Sequence, residues 1–130
     1  MNAADDSPLP NGQLSLRVIP KAADTNASGD ISGGWVLAQM DTAAEDAARK
    51  IARGKVVMVA CEQTQFISPV KIGSALCCYT RVGEVGKSSI QVFVEVWTQS
   101  STDASRRKVC DTQFVYVAID EAGRIRAVPK

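Results

Sequence analysis

Residues 34–54 read GWVLAQMDTAAEDAARKIARG, and the architecture follows from their spacing. Val36, Met40, Ala43, Ala47 and Ile51 recur at intervals of four, three, four and four, which gathers them on one face of a helix over Gly34–Arg53, about five turns long. Ser32 or Asp30 supplies a side-chain oxygen to cap its first turn, and Gly54 supplies its stop. Arg49, Lys50 and Arg53 sit in the last turns and Asp30 precedes the first, each on the side that the helix dipole favours. Ala38, Ala43, Ala44, Ala47, Ala48 and Ala52 keep the helix narrow, so a sheet or another helix can approach it closely. It is expected at the centre of the molecule.

Downstream no second helical period occurs. Four stretches of strand character follow, Lys55–Phe66, Ser74–Val85, Ser88–Gln99 and Lys108–Ile119. Turn chemistry separates them: Ser68-Pro69 with Gly73, then Gly86-Lys87, then the polar run Ser100–Arg107. In the third stretch Ile90, Val92, Val94 and Val96 alternate with Gln91, Phe93, Glu95 and Trp97, the pattern of an antiparallel strand with one covered face. Upstream, Leu14, Leu16 and Val18 alternate with polar neighbours in a strand over Gln13–Ile19 that Pro20 ends, and the polar run Lys21–Ser32 reads as a loop. The order strand, helix, four strands is an α+β fold in which a meander wraps one long helix. Residues 1–12, polar and rich in proline, read as a flexible lead-in to a single domain over residues 13–130.

The chain has 130 residues, 45% hydrophobic and 22% charged, which is the size and composition of one globular domain. A domain of this length buries roughly two-thirds of its unfolded surface and has little room for a deep cavity, so a site is expected at a surface or a subunit seam. Fifteen Lys plus Arg against fourteen Asp plus Glu leave a net charge of +1 with the basic residues dispersed, which argues against nucleic acid as a partner. Histidine is absent altogether. Triads built on imidazole, HExxH zinc sites and histidine proton shuttles are therefore excluded, and proton chemistry falls to a carboxylate or, less readily, to Lys, Tyr or Cys. Met1–Pro10 has neither the basic nor the apolar region of a signal peptide, and Val56–Cys61 is too short to cross a bilayer, so a cytoplasmic protein without membrane association is expected. Cys61, Cys77, Cys78 and Cys110 lack metal-ligand spacing and read as reduced structural thiols, three of them (Cys61, Cys77 and Cys110) in strands, with no metal site.

Several residues carry chemistry on this reading. No basic side chain lies three or four positions from Asp41 to neutralise it on its helix, so it is either a solvated flank carboxylate or a base or nucleophile held near apolar groups at a seam. Gly33-Gly34 at the helix start leave backbone N–H groups with no Cβ in the way, as a carbonyl or oxyanion requires, unless the pair serves only a tight turn. Asn26 offers an amide to a carbonyl or a water, or else bonds its own turn. Lys87, Ser88 and Ser89, and the cations Arg106, Arg107, Lys108, Arg124, Arg126 and Lys130, are candidates for phosphate among a mostly solvated surface.

These residues also carry a resemblance. ADTNASGDISGGWVLAQMD at 23–41 resembles the signature of the bacterial YciA-type acyl-CoA thioesterases of the hotdog fold. The similarity continues in order through KVVMVA, QFISPVKIGS, VGKSSIQVFVEVW and YVAIDEAGRIRAVP. It implies a long helix wrapped by a curved antiparallel sheet of about five strands, with two subunits paired edge to edge and commonly a trimer of such dimers. It also implies hydrolysis of acyl-CoA to a free acid and CoA without metal or cofactor. By the resemblance, Asp41 is the general base or nucleophile, Asn26 positions the carbonyl or the water, and Gly34 is the oxyanion donor. Asn and Asp of one site then come from different subunits. Gly33 lies beside the substrate, Gly86, Lys87, Ser88 and Ser89 lie along the pantetheine arm, and Arg124 and Arg126 meet the nucleotide phosphates. The family position after Gly-Asp-Ile, a Phe in relatives, is Ser32 here, a change that bears on acyl-chain preference or loop packing. A non-catalytic acyl-CoA-binding protein of the same fold is the alternative. A hydratase or dehydratase is disfavoured, because those relatives rely on histidine.

Overall fold

A computed structural model describes residues 9–102 and 105–130. Five strands and one long helix are formed: β1 (Gln13–Val18), α1 (Gly33–Ala52), β2 (Val56–Cys61), β3 (Ala75–Val85), β4 (Ser89–Gln99) and β5 (Arg106–Ala118), with a 3-10 turn at Ala22–Asp24 in the loop before α1. All the strand pairs are antiparallel, in the order β1-β3-β4-β5-β2, so the two edges are β1 and β2. Residues 1–8 of the expected lead-in lie outside the described residues. Of the rest, the Asn11 N–H donates to Glu95 Oε1 at 3.3 Å, and a Cβ on Gly12 would meet Thr80 O at 2.7 Å, which ties this segment to the sheet.

Helix α1 starts where Ser32 Oγ accepts the Trp35 N–H at 3.1 Å, so Ser32 rather than Asp30 is the cap. Val36, Met40 and Ala43 are buried as their spacing requires, but Ala47 and Ile51 are only half-buried, and Ala44, Ala48 and Ala52 take the core positions beyond them. The row Val36, Met40, Ala44, Ala48, Ala52, spaced by fours, winds slowly round the helix, so the buried face shifts along its length. At its C-terminus Arg53, not Gly54, adopts the left-handed conformation (φ 53°, ψ 47°). Gly54 follows at φ 157°, where a Cβ would stand 2.8 Å from Arg126 Nη2.

The alternation in β4 is realised. Ile90, Val92, Val94 and Val96 are fully buried against α1 with Leu76 and Cys78 of β3 and Phe114, Tyr116 and Ala118 of β5. Each large apolar side chain in this layer contributes roughly 1.5–3 kcal/mol by leaving water. Strand β2 covers the apolar run Val56–Cys61 and is shorter than the expected strand over Lys55–Phe66. Beyond it the chain still follows β5 through Glu62 N to Gln113 O (3.1 Å) and Ile67 N to Val109 O (2.8 Å), too sparsely for a ladder. Cys77, Cys78 and Cys110 are buried free thiols, and burial pushes Cys78 and Cys110 up to about 12, so they stay neutral and inert. Cys61 departs from the expectation of a small packed hydrophobe: it is exposed at the end of β2. Among the described residues no helix is long and apolar enough to cross a membrane.

Candidate active site

Asp41 lies in the third turn of α1, half-buried on the flank that faces β5. Tyr116 of β5 donates its hydroxyl to Asp41 Oδ1 at 2.7 Å, with Asp41 O at 3.4 Å. The carboxylate is therefore neither an ordinary solvated group nor one held by a cation. Tyr116 is paired with Ile90 of β4 and Met58 of β2, which places Asp41 beside the β2 edge of the sheet. Burial is the main reason the Tyr116 phenol is pushed well above its ordinary range, with the bond to Asp41 and the charges of Asp41 and Glu45 adding to it. It remains a donor throughout the neutral range.

Gly33 and Gly34 form the first turn of α1. Trp35 N is taken by the Ser32 cap, whereas neither the Gly33 nor the Gly34 N–H has a partner among the described residues. Neither glycine has a positive φ, so the backbone does not require them. A Cβ at Gly34 would meet only Ser32 Oγ, at 4.0 Å, and one at Gly33 would touch the Phe66 ring at 3.4 Å. The space in front of Gly34 is left open, and the dipole of α1 points at it.

Asn26 is exposed in the loop before α1. Its Oδ1 accepts the Ser28 N–H (2.9 Å) and the Asp30 N–H (3.1 Å), the turn role that its residue type allows. Two backbone donors on one amide atom fix that atom as oxygen. The Nδ2 group is thereby turned outward, and it has no partner among the described residues. The turn thus orients a donor as well as closing the loop. Thr25, beside Asn26, bridges to Ile31 at the foot of α1, so Asn26 and Gly34 belong to one end of the helix. Asp41 does not join them. Seven residues separate it from Gly34, about 10 Å along the axis at the helical rise. Within one chain, a single carbonyl cannot meet both.

The turn at Gly86–Ser89 joins β3 to β4, closed by Gly86 N to Ser89 O at 2.8 Å. Lys87 O accepts Val128 N (2.7 Å) and Ser88 O accepts Ala118 N (2.9 Å), so the turn and the C-terminal tail are brought together. Between them lies a groove of about 560 Å³ with apolar walls and Lys87 and Lys130 among its lining residues. Arg124 is exposed outside this lining, and only its backbone is engaged: its N–H donates to Asp120 Oδ1 and its carbonyl accepts the Asp120 N–H. Arg126 is committed to the fold: its guanidinium donates to Ile119 O (2.9 Å), Ala52 O (2.8 Å) and Ala127 O (3.4 Å), closing the C-terminus of α1. Ser32, the position that departs from the family pattern, spends its hydroxyl on the helix cap, a bond a Phe cannot make.

Tyr116 did not stand out in the sequence, where it is one of the alternating residues of β5. The available signal was a tyrosine at a core-facing position, since a buried phenol needs an acceptor and carboxylates are the strong ones.

Comparison with known proteins identifies the family and the fold. A family model described as the Thioesterase superfamily matches residues 28–105. The acyl-CoA thioester hydrolase YciA of Escherichia coli K12 is 42% identical over 124 residues, which are 93% of this chain and 94% of that protein. The crystal structure of HI0827, a hexameric broad-specificity acyl-coenzyme A thioesterase, superposes with a TM-score of 0.91 at 42% identity, covering 96% of this chain and 86% of that one. An aspartate-to-alanine variant of the same enzyme gives 0.88 at 43% identity over 92% of this chain and 88% of that one. Cj0915, a hexameric hotdog-fold thioesterase of Campylobacter jejuni, gives 0.84 at 35% identity over 91% of each chain. With its helix, its strand order and most of its length matched in this way, the chain belongs to the thioesterase superfamily and has the hotdog fold.

Proposed function

We propose that the chain is an acyl-CoA thioester hydrolase whose working site lies between two subunits, with Asp41 from one and the Asn26–Gly34 end of α1 from the other. The observation that carries this reading is the separation along one helix of a held carboxylate and an unused pair of N–H donors. Each half is preorganised, and neither half is sufficient alone.

The edge strand supports a second copy as the missing half. β2 reads VVMVAC, has no charge, and leaves Val57 and Val59 about half exposed (45% and 57%) on a strand paired only with β5. Edges of this kind attract another strand unless charge or proline blunts them, and an identical strand gives closed two-fold pairing. Asp41 stands beside this edge through Tyr116, so pairing there brings a partner's helix end toward it. The hexameric relatives support a further trimer of such dimers. The three buried free thiols suit a reducing compartment, in keeping with a cytoplasmic enzyme.

In the proposed reaction the thioester oxygen rests against Gly34 N–H and Asn26 Nδ2. Asp41 takes a proton from water as it attacks, or attacks the carbonyl itself, and the tetrahedral oxyanion is held by the same donors. Collapse breaks the C–S bond and releases CoA thiolate, a good leaving group that needs no strong acid. Attack by water gives the free acid directly, whereas attack by Asp41 leaves a mixed anhydride that water then hydrolyses to the acid and the restored carboxylate, so water is the only co-reactant on either route. Gly33, against Phe66, lines the approach. The Gly86–Ser89 turn with Lys87, Ser88 and Ser89 takes the pantetheine arm, and exposed Arg124 is free for phosphate. Arg126 we assign to stability: Arg126→Ala is expected to cost about 1.5–3 kcal/mol in chemical denaturation, with KM for acyl-CoA changed less than about twofold. A KM raised tenfold at unchanged stability would return Arg126 to the substrate.

Thiol release from acyl-CoA esters of short to long chain tests the activity directly. Turnover that depends on chain length supports hydrolysis. Binding of the esters without any release of thiol would instead make the chain an acyl-CoA-binding protein.

A further inference from the structure

Tyr116 is 1% exposed near the C-terminal end of β5, held in register by Ile90 on one side and Met58 on the other, with its ring edge-on to Phe114 (6.4 Å between centroids, 87°). A phenylalanine would fill the same volume. The hydroxyl is the only difference, and both of its acceptors, Oδ1 at 2.7 Å and O at 3.4 Å, belong to Asp41. Asp41 Oδ1 is thereby occupied, while Oδ2 has no partner among the described residues. An aspartate side chain on a helix flank otherwise rotates freely about its terminal torsion. The ring is fixed by the sheet, so the bond passes the rigidity of β5 to a group on α1.

We propose that Tyr116 is a positioning residue for the hydrolysis assigned above, locking the Asp41 carboxylate so that Oδ2 alone addresses the water or the thioester. The inference rests on the reading of Asp41 as the reacting carboxylate. A misplaced catalytic group slows the chemical step more than it weakens binding, so the loss should fall on kcat.

The test compares Tyr116→Phe in the wild-type and Asp41→Asn backgrounds. In the wild-type background kcat is expected to fall about 10–100-fold with KM within about twofold and the oligomer intact. In the Asp41→Asn background the same change should alter kcat less than about twofold, because a residue acting only through Asp41 has nothing left to position. Wild-type kcat in Tyr116→Phe, or equal losses in both backgrounds, would overturn the inference. Should Tyr116→Phe not fold, fluorotyrosine introduced throughout a Tyr79→Phe chain keeps the shape of residue 116, the one tyrosine then remaining, and changes only donor strength. A shift in kcat that vanishes with Asp41→Asn supports the role, and an unchanged kcat contradicts it. If Asp41→Asn is itself fully active, the reading of Asp41 has failed and this inference with it. If Asp41→Asn is inactive while Tyr116→Phe matches the wild type, this inference fails alone.

Discussion

Asp41→Asn lowers kcat for acyl-CoA hydrolysis by about 10²–10⁴, the range for loss of a general base, and leaves fold and assembly unchanged. The substitution is nearly isosteric. Asparagine still offers Tyr116 a carbonyl oxygen, so the bond at 2.7 Å and the packing of β5 against α1 can persist. What disappears is the anionic oxygen proposed to take a proton or attack the carbonyl. KM changes little, because the donors at Gly34 and Asn26 and the turn at Gly86–Ser89 are untouched. The measurement is thiol release under saturating substrate, with thermal melting and sizing as controls. Hydrolysis within threefold of wild type would remove Asp41 from the chemistry.

Most of the framework was legible because it depends on local rules. The apolar period of α1, the alternation of β4 and the turn residues between strands each specify an element from neighbouring residues alone. The misreadings arose where tertiary geometry chose between local options. Spacing alone puts Ala47 and Ile51 in the core, but the buried face shifts along the helix and takes Ala48 and Ala52. Gly54 is the natural helix stop, yet Arg53 takes the left-handed position, and the Arg126 guanidinium donates to the Ala52 carbonyl at that end.

The candidate site was legible in its parts and not in their relation. An aspartate without a helical counter-charge and two glycines at a helix start are visible in sequence, and their incompatibility within one chain follows from the helical rise. The partner of Asp41 is a different matter. Tyr116 is 75 residues away and reaches it only through strand pairing, which no local pattern reports. Arg126 shows the opposite case. A basic residue near a chain end resembles a phosphate ligand until its three carbonyl acceptors are seen.

Mixing two crippled chains tests the shared site most directly. Asn26→Ala removes one donor and is expected to lower kcat about 10–10²-fold, less than the loss of Asp41. When Asp41→Asn and Asn26→Ala proteins are unfolded together, refolded in equal amounts and assayed for thiol release, half of the dimers formed are mixed. In each of these, one of the two sites combines an intact Asp41 with an intact Asn26. About a quarter of all sites are then wild type, and activity should rise to about a quarter of the wild-type rate, well above the mean of the two parents. Activity that stays at that mean, with mixed dimers shown to be present, would place both residues in one subunit's site and contradict the account.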